Sequence, residues 1–175
     1  QVIAEDLGYM TDSVRHLVYE SGFPGMKVLE FAFDSRDSGC ASDYLPHNYT
    51  NNCVVYTGTH DNETLLGWYG DITPEERHMV REYLWNFHDD EKGICRNMIR
   101  LVMGSVAGRC MMPIQDYLQL DNSARINQPS TLGTNWKWRL KEGQFSKELQ
   151  KEMLTLATRF GRKNWTPDPL EEKME

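Results

Sequence analysis

Four short apolar segments alternate with helical segments along the chain, and this alternation constrains the fold more than any other feature. The predicted strands cover residues 2–5, 26–33, 53–56 and 109–114. Short buried strands that alternate with helices are typical of a parallel sheet in an α/β protein. The pattern fits both a doubly wound sheet and a (β/α)8 barrel.

Capping signals predict where the helices begin and end. Thr11 is placed to start a first helix and Gly22 to end it. The run 73–76, Thr-Pro-Glu-Glu, is a capping box with proline at the first helical position. A further helix is predicted over 93–106, and a last one starts at Ser146. The predicted apolar face of the first helix is formed by Val14, Leu17 and Val18.

Charge and composition exclude several classes of partner. The chain has 175 residues, with 19 Lys and Arg against 26 Asp and Glu, a net charge of −7. Nucleic acids and anionic membranes need basic patches, so neither is an expected partner. No apolar run approaches the ~20 residues of a membrane-spanning helix, and no signal peptide is apparent. The first residues are apolar and lack an initiating Met, which is typical of a piece of a longer chain.

The cysteines predict a reducing compartment. They show no CxxC pair and no neighbouring histidine at metal-ligand spacing. We therefore expect reduced thiols and a cytoplasmic protein. The cysteines are Cys40, Cys53, Cys95 and Cys110.

Polar side chains gather where the predicted strands end, which favours the barrel. Glu5 and Asp6 follow the first strand, Glu30 lies in the second, and 60–62 and 115–116 follow the third and fourth. Reacting groups in a barrel come from the carboxyl ends of several strands, and no Gly-rich phosphate loop supports the doubly wound alternative. A complete barrel has eight strands. We therefore predict an α/β fold that is half of a (β/α)8 TIM barrel.

Carboxylates on several strand ends, with amides and aromatic rings between them, suit the cleavage of glycosidic bonds. A retaining mechanism uses a nucleophilic carboxylate and an acid/base carboxyl across an oxocarbenium-like transition state. Trp68, Tyr69 and Trp136 are candidates for stacking on sugar rings. This chemistry requires no metal and no organic cofactor, and we expect none.

Six strings stand out along the chain; they begin at residues 3, 25, 44, 57, 125 and 135 and read IAEDLG, GMKVLEFAF, YLPHN, TGTHDN, RINQP and NWKWR. Their order and spacing closely resemble those in the C-terminal half of the 4-alpha-glucanotransferases (amylomaltases or disproportionating enzymes, glycoside hydrolase family 77). The resemblance covers residues 1 to about 165. It implies that the predicted strands are the fifth to eighth of the barrel, that 1–165 form the C-terminal half of the catalytic barrel, and that 166–175 form a charged tail.

The resemblance also implies roles for single residues. Glu5 matches the general acid/base of the family, Asp61 the transition-state stabiliser, and His60 a contact to the same sugar. The family's nucleophile is an aspartate in an RxDH-type string after the fourth strand, and these 175 residues contain no such string. The N-terminal half of the barrel is therefore an expected partner. The remaining positions matched to donor or acceptor sugars are Asp6, Phe31 and Asn127.

The residues themselves leave structural alternatives open. Glu5 could be a carboxylate at a helix N-terminus, and Asp61 could form an Asx-turn. His60 could bind a backbone carbonyl or a metal ion. Phe31 could belong to the core, and Asn127 fits a structural role equally well.

The expected activity is transfer of α-1,4-glucan segments between malto-oligosaccharides by a retaining double displacement, with this chain inactive alone. Two alternatives remain. One is an inactive fragment or carbohydrate-binding module, and the other is a related α-glucan hydrolase. The expected location is the cytoplasm, or the plastid for a plant protein.

Overall fold

The computed structural model describes residues 2–8, 10–36 and 41–163. Helices and strands alternate along them, and short 3-10 helices fill several connections. The elements are α1 (Asp12–Ser21), β1 (Gly25–Val28), β2 (Cys53–Tyr56), α2 (Leu65–Asp71), α3 (Pro74–Leu84), α4 (Glu91–Met103), β3 (Arg109–Met111), α5 (Ile114–Tyr117) and α6 (Lys147–Arg159). The 3-10 helices are Leu29–Phe33, Ala41–Tyr44, Pro46–Asn48 and Asn122–Ala124.

The strands form one parallel sheet in the order β1-β2-β3. Gly25 pairs with Cys53, and Val54 pairs with Arg109. β2 is the central strand, and Val54 and Val55 are fully buried. β-branched side chains suit a strand covered on both faces. All three strands end at the same edge of the sheet, so the α/β class with a parallel sheet is confirmed.

The predicted strand over 2–5 is wrong. These residues have no regular secondary structure and lie outside the sheet, and the backbone N–H of Ala4 donates to the carbonyl of Pro24 at 2.9 Å. One such bond does not make a ladder, and an edge segment without a second neighbouring strand has little to pair with. The described residues therefore contain three strands instead of four.

The predicted strand over 26–33 is half strand and half 3-10 helix. β1 ends at Val28, and Leu29–Phe33 turns in a 3-10 helix. The N–H of Glu30 donates to the carbonyl of Thr57 at 3.2 Å, beyond the end of β2. The fourth predicted strand is also shorter, since β3 ends at Met111.

Three predicted helix starts and the end of α1 agree with the structure, whereas the helix predicted over 93–106 is α4 at Glu91–Met103, because Asp90 caps its start. The side chains of Thr11, Thr73 and Ser146 accept hydrogen bonds at the starts of α1, α3 and α6, and Thr73 forms the full capping box with Glu76. Gly22 ends α1 with a φ of 67°, which favours glycine. The seven-residue helix α2 was not expected.

The amphipathic helix α4 supplies the largest apolar face. Six of its thirteen residues are buried and recur at helical spacing. In contrast, no residue of α1 is buried, and Leu17 of its predicted apolar face is 67% exposed. The buried residues of α4 are Ile94, Cys95, Met98, Ile99, Val102 and Met103.

Two compact units divide the chain, one over 1–140 and one over 141–175. The first contains the sheet and α1–α5, and the second contains α6. The predicted tail at 166–175 lies outside the described residues, so the predicted domain boundary stays a prediction. None of the described helices is long and apolar enough to cross a membrane. Among the cysteines, Cys53, Cys95 and Cys110 form no disulfide, and Cys40 lies outside the described residues.

Candidate active site

A cleft of about 610 Å3 opens at the carboxyl edge of the sheet. Tyr56 and Met111, the last residues of β2 and β3, lie on its wall. The loops that follow these strands complete it, as expected for a parallel sheet. The first cleft is lined by Glu5, Leu7, Met26, Phe31, Tyr56, Gly58, Thr59, His60, Asp61, Asn62, Met111, Met112 and Pro113.

Asp61 projects from a tight turn that directly follows β2. The side-chain oxygen of Asn62 accepts hydrogen bonds from the backbone N–H and the hydroxyl of Thr59, at 2.9 and 2.6 Å. Asn62, not Asp61, therefore closes this turn with its side chain. The Asp61 side chain remains 50% exposed toward the cleft.

Two side chains reach Asp61 Oδ1. Asn127 donates through Nδ2 at 2.5 Å, and His60 Nε2 lies 3.4 Å away. The backbone N–H of Asn127 also donates to the carbonyl of His60 at 3.1 Å. The structure thus brings together three of the predicted site residues, although Asn127 lies more than 60 positions along the chain from the other two.

Arg125 ties the two loops together, and sequence reasoning did not assign it a role. Its Nη2 donates to the backbone carbonyl of Asp61 at 2.6 Å, and its Nε donates to the carbonyl of Asn127 at 2.9 Å. Its Nη1 lies 3.5 Å from Glu63 Oε1. The sequence signal that could have identified Arg125 is its position in the RINQP string, two residues before Asn127.

An aromatic ring packs beside His60. The Trp136 ring centroid lies 5.2 Å from that of His60, with the planes tilted by 40°. Trp136 has a φ of 64° in the left-handed region, and its backbone N–H donates to the carbonyl of Ile126 at 2.8 Å. This contact places an exposed indole beside the site.

Glu5 lines the same cleft as Asp61, although it lies near the start of the sequence. Its carboxylate is exposed and makes no hydrogen bond to another described residue. α1 begins at Asp12 with Thr11 as its cap, so Glu5 lies well outside the first turn of a helix. A helix N-terminal role for Glu5 is therefore excluded.

Asp6 faces away from the first cleft. Its Oδ1 accepts from the backbone N–H of Met26 at 2.6 Å, and its carboxylate packs against Gly25, where a side chain would collide with it. This contact holds the segment carrying Glu5 onto β1. A sugar contact for Asp6 stays a prediction.

Phe31 lies where the first cleft meets a second cleft of about 830 Å3. Its ring is 36% exposed and packs edge-on against Tyr44, with centroids 5.4 Å apart. Half-exposed, rigidly seated rings suit stacking on a sugar. The second cleft is lined by Gly8, Glu30, Phe31, Phe33, Asp34, Ser35, Arg36, Tyr44, Asp61, Asn62, Glu63, Trp68, Asp71, Ile72, Thr73, Glu76 and Arg125.

The strand-end acids Glu30 and Asp116 are buried beneath the site. Burial and the carboxylates of Asp116 and Glu63 raise the pKa of Glu30 well above its usual value, and Arg125 opposes the shift. Burial also raises the pKa of Asp116 to about 6, although hydrogen bonds from Thr57 and Leu65 act the other way. Glu5 and Asp61 are thus the accessible carboxylates of the first cleft among the described residues.

The chain is similar in sequence to known 4-alpha-glucanotransferases. The family model described as 4-alpha-glucanotransferase matches residues 1–146. The 4-alpha-glucanotransferase of Clostridium butyricum is 45% identical over 164 residues, 93% of this chain and 32% of the relative. A chloroplastic/amyloplastic 4-alpha-glucanotransferase of Solanum tuberosum is 40% identical over 164 residues, 92% of this chain and 28% of the relative.

A solved structure extends the likeness to three dimensions. The amylomaltase from Streptococcus agalactiae in complex with acarbose aligns with a TM-score of 0.85 and 33% identity, over 93% of this chain and 32% of that one. The chain spans about a third of the length of these relatives. A family match over most of the chain, together with this structural likeness, shows that the chain belongs to the 4-alpha-glucanotransferase family.

Proposed function

We propose that this chain supplies Glu5 and Asp61 to a 4-alpha-glucanotransferase that moves α-1,4-glucan segments between malto-oligosaccharides. One observation carries the proposal: both carboxylates line a single cleft, and both are accessible. The acarbose bound to the Streptococcus agalactiae amylomaltase supports an α-glucan ligand for this cleft. The cytoplasm, or a plastid in a plant, is the proposed location.

Glu5 is the proposed general acid/base. A carboxylate nucleophile from outside these 175 residues attacks the anomeric carbon, the glycosidic C–O bond breaks, and Glu5 gives its proton to the leaving oxygen. The hydroxyl of an acceptor sugar then replaces the nucleophile, and Glu5 takes that hydroxyl's proton. The Glu5 carboxyl makes no hydrogen bond within the part of the chain that the structure describes, which leaves it available for both transfers.

Asp61 is the proposed transition-state stabiliser. Asn127 donates to its Oδ1 and Arg125 to its backbone carbonyl, so its carboxylate is fixed before substrate arrives. Hydrogen bonds from sugar hydroxyls to a fixed carboxylate strengthen as positive charge develops at the anomeric carbon. His60 contributes a second polar contact, and Phe31 offers a ring for stacking.

A chimera tests the proposal. The matching segment of the Clostridium butyricum enzyme, 45% identical, is replaced by this chain. Maltotriose is then expected to yield a ladder of longer and shorter oligosaccharides by chromatography. Glu5→Gln is expected to abolish the ladder, because an amide cannot protonate the leaving oxygen.

Controls separate the alternatives. Glu20→Gln changes an exposed carboxylate on α1 and is expected to leave the ladder intact. Release of glucose without longer products would identify a hydrolase. Acarbose binding without turnover would identify a binding module. A ladder that survives Glu5→Gln would disprove the assignment of Glu5.

A further inference from the structure

One buried carboxylate holds both ends of the loop that carries Asp61. Oδ2 of Asp116 accepts from the hydroxyl of Thr57 at 2.5 Å, and Oδ1 accepts from the backbone N–H of Leu65 at 2.8 Å. Thr57 directly follows β2, and Leu65 begins α2. The 57–65 loop is therefore closed at its base by Asp116.

This closure depends on a carboxylate. Asp116 is 1% exposed, and Thr57 and Leu65 are fully buried, so water cannot replace either donor's partner. Both oxygens of Asp116 accept. An asparagine at this position has one acceptor and one donor, and it would leave a buried donor unsatisfied.

The residue before Asp116 reaches the second loop of the site. The side-chain Nε2 of Gln115 donates to the carbonyl of Ala124 at 3.2 Å, directly before Arg125. Gln115 is 2% exposed and lies in α5 beside Asp116. Adjacent residues of one short helix thus hold the loop of Asp61 and the loop of Asn127.

We propose that Asp116 is a positioning residue for Asp61, and that Gln115 places Asn127 against it. The 2.5 Å contact between Asn127 Nδ2 and Asp61 Oδ1 is where the two loops meet. Its catalytic meaning rests on the proposed function, whereas the positioning itself does not. Asp116 lines neither cleft, so it acts on Asp61 through the 57–65 loop.

NMR of the full 175-residue chain tests the positioning without any assay of activity. The readouts are the Asn127 side-chain amide protons and the backbone resonances of His60 and Asp61. Thr57→Val keeps the shape of the side chain but removes the hydroxyl. It is expected to shift the Asn127 amide protons upfield as their bond to Asp61 is lost, whereas Thr57→Ser is expected to restore the wild-type spectrum.

Asp116→Asn tests the same contact from the acceptor side. When Asp116→Asn is combined with Thr57→Val, we expect no further shift at Asn127, because both changes break the same hydrogen bond, the one from Thr57 to Asp116. Asp90→Ala removes the cap of α4 and lowers stability without touching either loop. It is expected to leave the Asn127 resonances unchanged.

Three outcomes would overturn the proposal. The first is a shift in Thr57→Val no larger than in Asp90→Ala, and the second is failure of Thr57→Ser to restore the spectrum. The third is failure of both variants, Thr57→Val and Asp116→Asn, to fold, since Asp116 would then be required for folding itself.

In the chimera, Thr57→Val is expected to lower kcat about tenfold or more with little change in KM, since small misplacements of catalytic groups are costly. A wild-type chimera without activity would refute the proposed function and leave the NMR result standing.

Discussion

Asp61 is held at both its side chain and its backbone, so its charge should matter more than its shape. Asp61→Asn in the chimera is expected to lower kcat far more than it raises KM, since a neutral amide binds sugar hydroxyls but stabilises positive charge poorly. Initial rates over a range of maltotriose concentrations measure both constants. Asp12→Asn, on the exposed side of α1, is the matched control. A change confined to KM would make Asp61 an ordinary binding residue.

Asp116 is expected to make the folded chain less stable as pH rises, which is opposite to the effect of an acid in a surface ion pair. Its pKa in the folded chain is about 6, above the ordinary value of 3.8, so the folded state binds this proton more tightly than the unfolded state. Stability is therefore expected to fall as pH rises from about 4 to 6 and to stay lower above it. The raised pKa of Glu30 acts in the same direction.

Urea unfolding at pH 5 and pH 7.5 measures this dependence. The full shift of Asp116 corresponds to at most about 3 kcal/mol, of which this range captures a part. Asp116→Asn is expected to flatten the dependence, and Asp12→Asn is expected to leave it unchanged. Equal slopes in wild type and Asp116→Asn would contradict the burial argument.

At the scale of elements, one carboxylate joins α3 to the segment after the 3-10 helix Leu29–Phe33. Glu76 Oε2 accepts from the N–H of Thr73 at 2.9 Å, and Oε1 accepts from the N–H and hydroxyl of Ser35 at 3.1 Å. Thr73→Ala, which loses only the cap, is expected to cost about 1 kcal/mol. Glu76→Ala is expected to cost about 2 kcal/mol, because it also leaves Ser35 without its acceptor.

Urea denaturation of both variants at pH 7 measures the difference, with Glu75→Ala as the control for loss of a neighbouring charge. Equal losses in Thr73→Ala and Glu76→Ala would contradict the link to Ser35.

Local signals predicted three helix starts correctly and strands less well, for a physical reason. The caps Thr11, Thr73 and Ser146 act within three residues, so the sequence contains the whole interaction. A strand needs a neighbour from elsewhere in the chain. Among the described residues, the segment 2–5 has one backbone hydrogen bond to the chain beside β1, from Ala4 to Pro24, and 29–33 turns in a 3-10 helix after its pairing with β2 ends at Val28.

At the scale of the whole molecule, the resemblance identified candidate site residues, whereas the contacts that hold them could not be predicted. Glu5 and Asp61 line one cleft, and their catalytic roles stay predictions. Arg125 and Asp116 contact loops that lie more than 50 residues away in the sequence, and a local hydrophobic pattern cannot predict contacts over that distance. The burial of Glu30 likewise became visible only once the loops were assembled. The barrel itself stays a prediction, because the described sheet has three strands.

The last prediction concerns the chain by itself, which is expected to transfer no glucan. Retention requires a third carboxylate that holds the sugar covalently. Among the described residues, Glu5 and Asp61 are the carboxylates of the first cleft; Glu30 and Asp116 are buried, and Asp6 binds the backbone of Met26. Loss of a nucleophile typically removes several powers of ten in rate.

Incubation of the purified chain with maltotriose, at protein concentrations far above those used for the chimera, tests this expectation directly. Chromatography is expected to show unchanged maltotriose, while the chimera under the same conditions gives the ladder. Because a trace of host enzyme could mimic activity, the Glu5→Gln chain is purified and incubated in parallel. A ladder that scales with the amount of wild-type chain and disappears in Glu5→Gln would contradict the prediction. It would also require a nucleophile within these 175 residues, and Asp34, Asp71 and Glu63 of the second cleft would be the first to replace by amides.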